Sequence, residues 1–460
     1  MSIRTDLFGC PVSISPKGDL EAWNKTQLGF LSHAASTPED LGKALASDPD
    51  FALPIICKGI FSLLMGRREL YEIAQQAEKD ARAAMNRRTV TSREIIFFDV
   101  LCDMNLGNLK TAADRLDLMA ISNPNDALAM KLVQSLRFIL GDAIGMRSSI
   151  AHILPHMHKD HSAYGYALGC QAFALEETGD YRGAEKCGRE AVAHSPNDAW
   201  GLHAVAHVYD MTNNTKAGLD WLQNRTSAWK HCNNFSYHVW WHMALMHLDR
   251  GEIDAVFALY DDYIRKEKTD DYRDIANGTA LLSRLELEGH NVGYRWEELA
   301  DLSEGRTQDG CLAFADLHYM LALIGGNRKK SATRLLARMR KGAVSEANEM
   351  EMIIKHPGLS AAQGLEAFGE GNYTQAFKHL ANARERMQTV GGSHAQRDVF
   401  ERLTIEAALR GGYLDAAERF LNQRTKLRDG HKDQFSVLRF EEINRLKNFS
   451  PDQTTTQNVI

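Results

Sequence analysis

Three stretches, "DMNLGNLKTAADRL", "EETGDYRGAEKCGREA" and "LDRGEIDAVFALYDDYI", align on turn glycines at Gly107, Gly179 and Gly251, each 72 residues after the one before. That spacing is close to twice the ~34-residue period of a helix-turn-helix repeat. A chain with such a period stacks its units, each burying its apolar face against its neighbours. Pro124 and Pro196, each followed by Asn-Asp-Ala, are again 72 apart. Nearer the C-terminus, "GEGNYTQAFKHLANA" and "LRGGYLDAAERFLNQR" repeat the order glycine, aromatic, small residue. Ala112, Ala184, Ala376 and Ala416 lie five positions after Gly107, Gly179, Gly371 and Gly411. Small side chains there let paired helices approach, and apolar spacing of three and four supplies the buried stripe. No strand alternation of convincing length competes. The pattern predicts an all-α solenoid of tetratricopeptide type, a right-handed superhelix with atypical capping repeats at both ends.

The repeat divides the chain. Residues 1–90 are less regular and are expected to form a divergent helical cap, with "FALPIICKGIFSLLMG" as a buried helix; residues 91–445 carry the repeats. Residues 446–460 lack apolar periodicity and are expected to be a disordered tail. At 460 residues the chain exceeds the size at which one globular core stops growing, which suits an array of repeats. A formal charge of −6 shows no basic surplus, so no nucleic-acid partner is expected. No apolar run approaches membrane-spanning length and the N-terminus lacks a signal-peptide pattern, so neither a membrane partner nor secretion is expected. The seven cysteines are scattered singly, odd in number and without a Cys-x-x-Cys pair, which suits a reducing cytoplasm.

Two helical stretches concentrate histidine. "DAWGLHAVAHVYDM" carries His203 and His207, and "SYHVWWHMALMHLDRG" carries His238 and His242; a spacing of four puts each pair on one face. Histidine is a mediocre helix former and two cationic rings four apart repel, so helix stability gives little reason to repeat the arrangement. His247 falls at a packing position. His152, His156, His158 and His161 lie in a connection and read as a hydrated surface cluster.

These strings, together with "VGYRWEEL", "FADLHYMLAL" and "GGSHAQRDVFERL", resemble the tetratricopeptide-repeat protein 38 family over nearly the whole chain. The resemblance implies a cytosolic helical-repeat protein and brings no reaction, partner or site residue with it. In repeats of this kind the second, fifth, ninth and twelfth positions of the first helix face the concave surface. With Ala199 as position one these are Trp200, His203, His207 and Asp210, while Leu202, Val205, Ala206 and Tyr209 pack. With Tyr237 as position one, His238 and Trp241 are concave, His242 lies beside them, and Trp240, Met243 and Ala244 face the stack. If Gly326 is the turn glycine of its unit, Asp316 takes the concave fifth position and His318 packs.

The expected site is therefore a wall of histidine and tryptophan. His203, His207 and His242 are the candidate general acids or bases, since imidazole titrates near neutrality, and Asp210 is placed to orient one ring. Imidazoles four apart can chelate a metal. However, Ala204, Val205 and Ala206 in one pair and Val239, Trp240 and Trp241 in the other leave out the glutamate of a His-Glu-x-x-His motif, and no cysteine falls in register. No metal or other cofactor is assigned, with zinc or another divalent ion as the alternative. In "GGSHAQRDVFERL", Ser393 and Gln396 form a capping-box pattern and Asp398 suits the first turns of a helix. Gly391 and Gly392 permit close backbone approach, and with Arg397 they could surround a carboxylate or phosphate at a helix N-terminus. The candidate ligand-binding set is Trp200, His238, Trp241, Asp316, His394, Gln396, Arg397 and Asp398. The leading function is binding of a small acidic ligand or a peptide on the concave wall. The alternatives are an enzyme acting on a small anionic metabolite, with or without a metal, and a protein-interaction scaffold.

Overall fold

A computed structural model describes residues 4–344 and 347–449. Apart from a short antiparallel hairpin, Arg4–Thr5 with Pro11–Val12, and an isolated bridge between Ala34 and Cys232, the described residues form helices and their connections. Successive helices pack as pairs and the pairs stack, giving an all-α solenoid of tetratricopeptide type. The turn residues Gly107, Gly179 and Gly251 adopt φ of +79°, +83° and +70°, the left-handed conformation that ends one helix and reverses the chain into the next. Five residues after Gly107, Gly179 and Gly371, Ala112, Ala184 and Ala376 are fully buried between paired helices.

Two turn assignments shift by one residue. Gly411 is right-handed; Gly412 takes φ +82°, and the buried small residue is Ala417 rather than Ala416. Likewise Gly326 is right-handed and Asn327 carries the positive φ of +56°. In both turns the second of two adjacent candidates reverses the chain, because the first still closes a helical hydrogen bond to the residue four before it.

The N-terminal segment is four helices from Leu20–Ser32 to Arg68–Arg87, preceded by the hairpin, and "ALPIICKGIFSLL" is a buried helix within it. Arg93 ties the hairpin to the repeats, bonding Asp6 at 2.9 Å and Asp126 at 2.6 Å, all three buried. Asp126 also caps its own helix by accepting from the Ala129 amide. At the other end, helix Gln434–Phe449 runs four residues into the segment expected to be a tail; residues 450–460 lie outside the described residues. Among the described residues, no helix is long and apolar enough to cross a membrane.

The concave side does not stay open. The Asn233 amide donates to the His33 carbonyl at 2.8 Å and the Ala35 amide to the His231 carbonyl at 3.0 Å, so the N-terminal helices close onto the middle of the chain. From the other end, Gln388 donates to the Gly141 carbonyl at 2.7 Å, the His394 amide to Glu177 at 2.8 Å, and Asn213 to the Lys432 carbonyl at 2.9 Å. These contacts join residues about 200 apart or more in sequence and draw both ends of the coil across its inner face.

Candidate functional site

Helices Ala199–Met211 and Phe235–Asp249 bring their histidines together. Ring centroids lie 4.8 Å apart for His203 and His207, 4.7 Å for His238 and His242, and 4.3 Å for His207 and His242. Closure buries them. His203 is 1% exposed and His207 and His242 are wholly buried; His238 alone is partly accessible. The expectation that all four line an open wall is thereby corrected: His203 and His238 reach a cavity, whereas His207, His242 and Trp241 lie beneath it. Burial pushes the His203 and His242 imidazoles far below the usual imidazole range, with neighbouring His207 adding to the effect, and takes His238 down to about 3.

Two of the rings are held from outside the cluster. His203 Nδ1 donates to the Trp200 carbonyl at 2.7 Å, and His238 Nδ1 faces Asn277 Oδ1 at 3.1 Å. His207 Nδ1 lies 3.4 Å from Glu176 Oε2, without the alignment of a hydrogen bond. Glu176 is fully buried and bonds His394 Nε2 at 2.8 Å. Burial alone would raise that carboxyl and lower that imidazole; their mutual attraction wins, so Glu176 sits below the ordinary carboxylate range and His394 above the ordinary imidazole range. Asp210, expected to orient a histidine, instead accepts from Arg428 and lines a different cavity. The helix end carries it past the histidines toward the C-terminal helices, and the carboxylate beside His207 is Glu176.

Two cavities lie in this part of the molecule. The larger, about 720 Å³, lies between the N-terminal helices and the histidines. Its far wall is apolar, with Phe30, Leu41, Leu45, Phe61 and Leu64; its near end holds His203, His238, Lys131, Arg273 and Asp274. Lys131 is 4% exposed and its ammonium lies 4.6 Å over the half-buried Trp200 ring; it attracts the buried carboxylate of Asp198, with no ion-pair contact between them among the described residues. Arg273 bonds Asp271 at 2.6 and 2.8 Å. Burial and the neighbouring Asp271 raise Asp274 to about 7.

The smaller cavity, about 420 Å³, is charged. His394, Arg397 and Asp398 line it, together with Glu177, Asp210, Arg284 and Arg402. Its charges neutralise one another: Asp398 bonds Arg402 at 2.8 Å and Arg424 at 2.6 Å, and Asp433 bonds Arg424 at 2.6 Å. Burial opposes the ionised carboxyls, but these guanidinium groups hold both far below the usual carboxylate range. Arg397 spends its donors on the Gly391 and Gly392 carbonyls and on Glu177 at 3.4 Å.

The segment 391–398 thus joins the histidine helices, as a divider. Gly391, Gly392, Ser393 and Gln396 face the large cavity and His394, Arg397 and Asp398 the small one. The Ser393–Gln396 capping box forms, each side chain bonding the other's backbone amide. Asp316 joins neither cavity. With Asn327 as the turn residue it falls one position off the concave stripe, and it is buried in an ion pair with Arg338. His318 packs against Phe314 and Phe400.

Lys131, Glu176, Glu177, Arg273 and Asn277 were not singled out from sequence. Glu176 had a signal: it lies 34 residues before Asp210 and occupies the same repeat position. Lys131 and Arg273 had none, since a single cation in a helix does not show which distant units it will face. No family model matches the chain. Among solved structures it is similar to yeast Tom70, at 12% identity over 94% of this chain and 89% of that one, with a TM-score of 0.34, a likeness that carries no argument about function.

Proposed function

We infer that this chain binds an amphipathic organic acid in the large cavity, on the fold of the tetratricopeptide-repeat protein 38 family that its sequence resembles. The observation that carries this reading is Lys131: a buried ammonium that attracts the buried Asp198 but that no carboxylate among the described residues contacts directly, at the polar end of a cavity of about 720 Å³ whose other end is apolar. A buried cation is costly unless paired, and a ligand carboxylate supplies the direct contact while its hydrocarbon fills the Phe30–Phe61 end. His203, His238 and the half-buried Trp200 present ring faces and edges around the same end. An extended peptide fits less well, because the helices around residues 33–35 and the segment around 388–394 close the groove that it would need. A catalytic form of the reading rests on His203 and His238, the two imidazoles that share the cavity with Lys131.

Isothermal titration with dodecanoate, dodecanol and dodecyltrimethylammonium tests the reading. The carboxylate binds most tightly, the alcohol more weakly, and the cation not at all. Equal affinity for all three, or preference for the cation, removes the role given to Lys131.

A further inference from the structure

We propose that the four-histidine layer is a binding site for a divalent first-row transition-metal ion, held by His203, His207, His238 and His242. One ligand nitrogen from each ring lies within 4.8 Å of every other, and the cluster is buried. His238 Nε2 and His242 Nε2 are 3.2 Å apart. An ion ~2.0–2.1 Å from both, the usual metal–imidazole distance, would subtend about 100° between them, close to a tetrahedral angle.

The outer partners favour the same conclusion. The Trp200 carbonyl and Asn277 Oδ1 take the Nδ1 proton of His203 and His238, and Glu176 lies beside Nδ1 of His207. For His203 and His238 this leaves Nε2 as the lone-pair nitrogen. A metal-bound histidine has this arrangement, its other nitrogen turned to a carbonyl or carboxylate that sets tautomer and ring orientation. The cluster also leaves His207 Nε2 buried without a partner, which an ion would supply. Packing alone gives no reason for unpaired imidazole nitrogens in a closed interior, where each lost hydrogen bond is costly.

A second set, Glu176, Glu177, His207 and His394, shares His207 and has similar spacing. Its carboxylates already have cationic partners in His394 at 2.8 Å and Arg397 at 3.4 Å, so the ion is assigned to the imidazole set. All-imidazole ligation suits zinc, iron, nickel or copper, and not calcium or magnesium, which take oxygen ligands.

Cobalt(II) titration of the full chain after chelation tests the site. Visible ligand-field bands should grow to saturation at a single ion per chain, and zinc should displace them. His238→Gln and His242→Gln should abolish the bands. Glu176→Gln, which leaves every ligand in place, should weaken binding about 10- to 100-fold. His318→Gln should leave the bands intact, because that buried imidazole, bonded to the Phe314 carbonyl at 2.8 Å, stands outside the set. Lys131→Met should also leave them intact, which separates this site from the acid-binding reading. Circular dichroism melts of each metal-free variant distinguish lost binding from lost fold; where a histidine variant does not fold, the zinc-induced rise in wild-type melting temperature and its reduction in Glu176→Gln decide. Absence of bands and of a zinc-induced rise in the wild type, or bands that survive in folded His238→Gln and His242→Gln, overturns the proposal.

Discussion

Replacing Gly391 by alanine attacks the contact that closes the coil. Gly391 has φ +91° and ψ −172°, a region that essentially only glycine enters, and its backbone lies against the chain at Ile139. A Cβ there would sit 2.2 Å from the Ile139 carbonyl oxygen, against 3.4 Å for an ordinary contact, so one backbone must retreat by about 1.2 Å. The dihedral strain costs about 1–3 kcal/mol. The displaced backbone adds about 1–3 kcal/mol, the usual range for overpacking. Gly371→Ala is the control: its φ is +75°, but nothing lies within 4 Å of the added atom, so only about 1–2 kcal/mol of left-handed strain is expected. Urea unfolding of both variants, read by far-ultraviolet circular dichroism, should show Gly391→Ala as the more destabilised. Dodecanoate affinity should fall in Gly391→Ala alone, because Gly391 also lines the large cavity. Equal destabilisation and unchanged affinity would refute the closure argument.

Lys131→Met should weaken dodecanoate binding by about 1.5–3 kcal/mol, the worth of a hydrogen bond to a charged group, and Lys131→Arg should keep part of it; titration calorimetry reads both. Arg397→Ala should leave that affinity unchanged, since Arg397 serves Glu177 and the small cavity. Asp398 and Asp433 are held below their unfolded pKa by Arg402 and Arg424, so their contribution to stability is present above the ordinary carboxylate range and is lost as pH falls below it. Asp433→Asn should therefore flatten the acid limb of melting temperature against pH. Burial lowers His318 from 6.5 to about 4; the unfolded chain takes up that proton first, so about 3 kcal/mol of stability is lost as pH falls from 6.5 toward 4, and His318→Gln should remove that part of the slope.

The solenoid was legible because its signals are local. A turn residue, a small residue five positions later and an apolar stripe recur within each unit, and each reports on contacts a few residues away. The same local signals put His203, His207, His238 and His242 on one side of the stack and marked Ser393 and Gln396 as a helix cap. Closure was not legible, because it depends on small rotations accumulated over many repeats. That is why His207 and His242, read as wall residues, are buried, and why Asp210 faces the C-terminal helices. Where two adjacent residues could each make the turn, as at Gly326 and Asn327, a one-residue error moved Asp316 off its stripe. Lys131 and Arg273 acquire meaning only from cavity walls supplied by distant units.

A crystal structure of the chain with ω-bromododecanoate, phased on the bromine, tests the ligand-binding account most directly. The account predicts the carboxylate within hydrogen-bond reach of Lys131 Nζ and the bromine among Phe30, Leu41 and Phe61. An empty large cavity, a reversed ligand, or a carboxylate in the charged cavity beside Arg397 would contradict it.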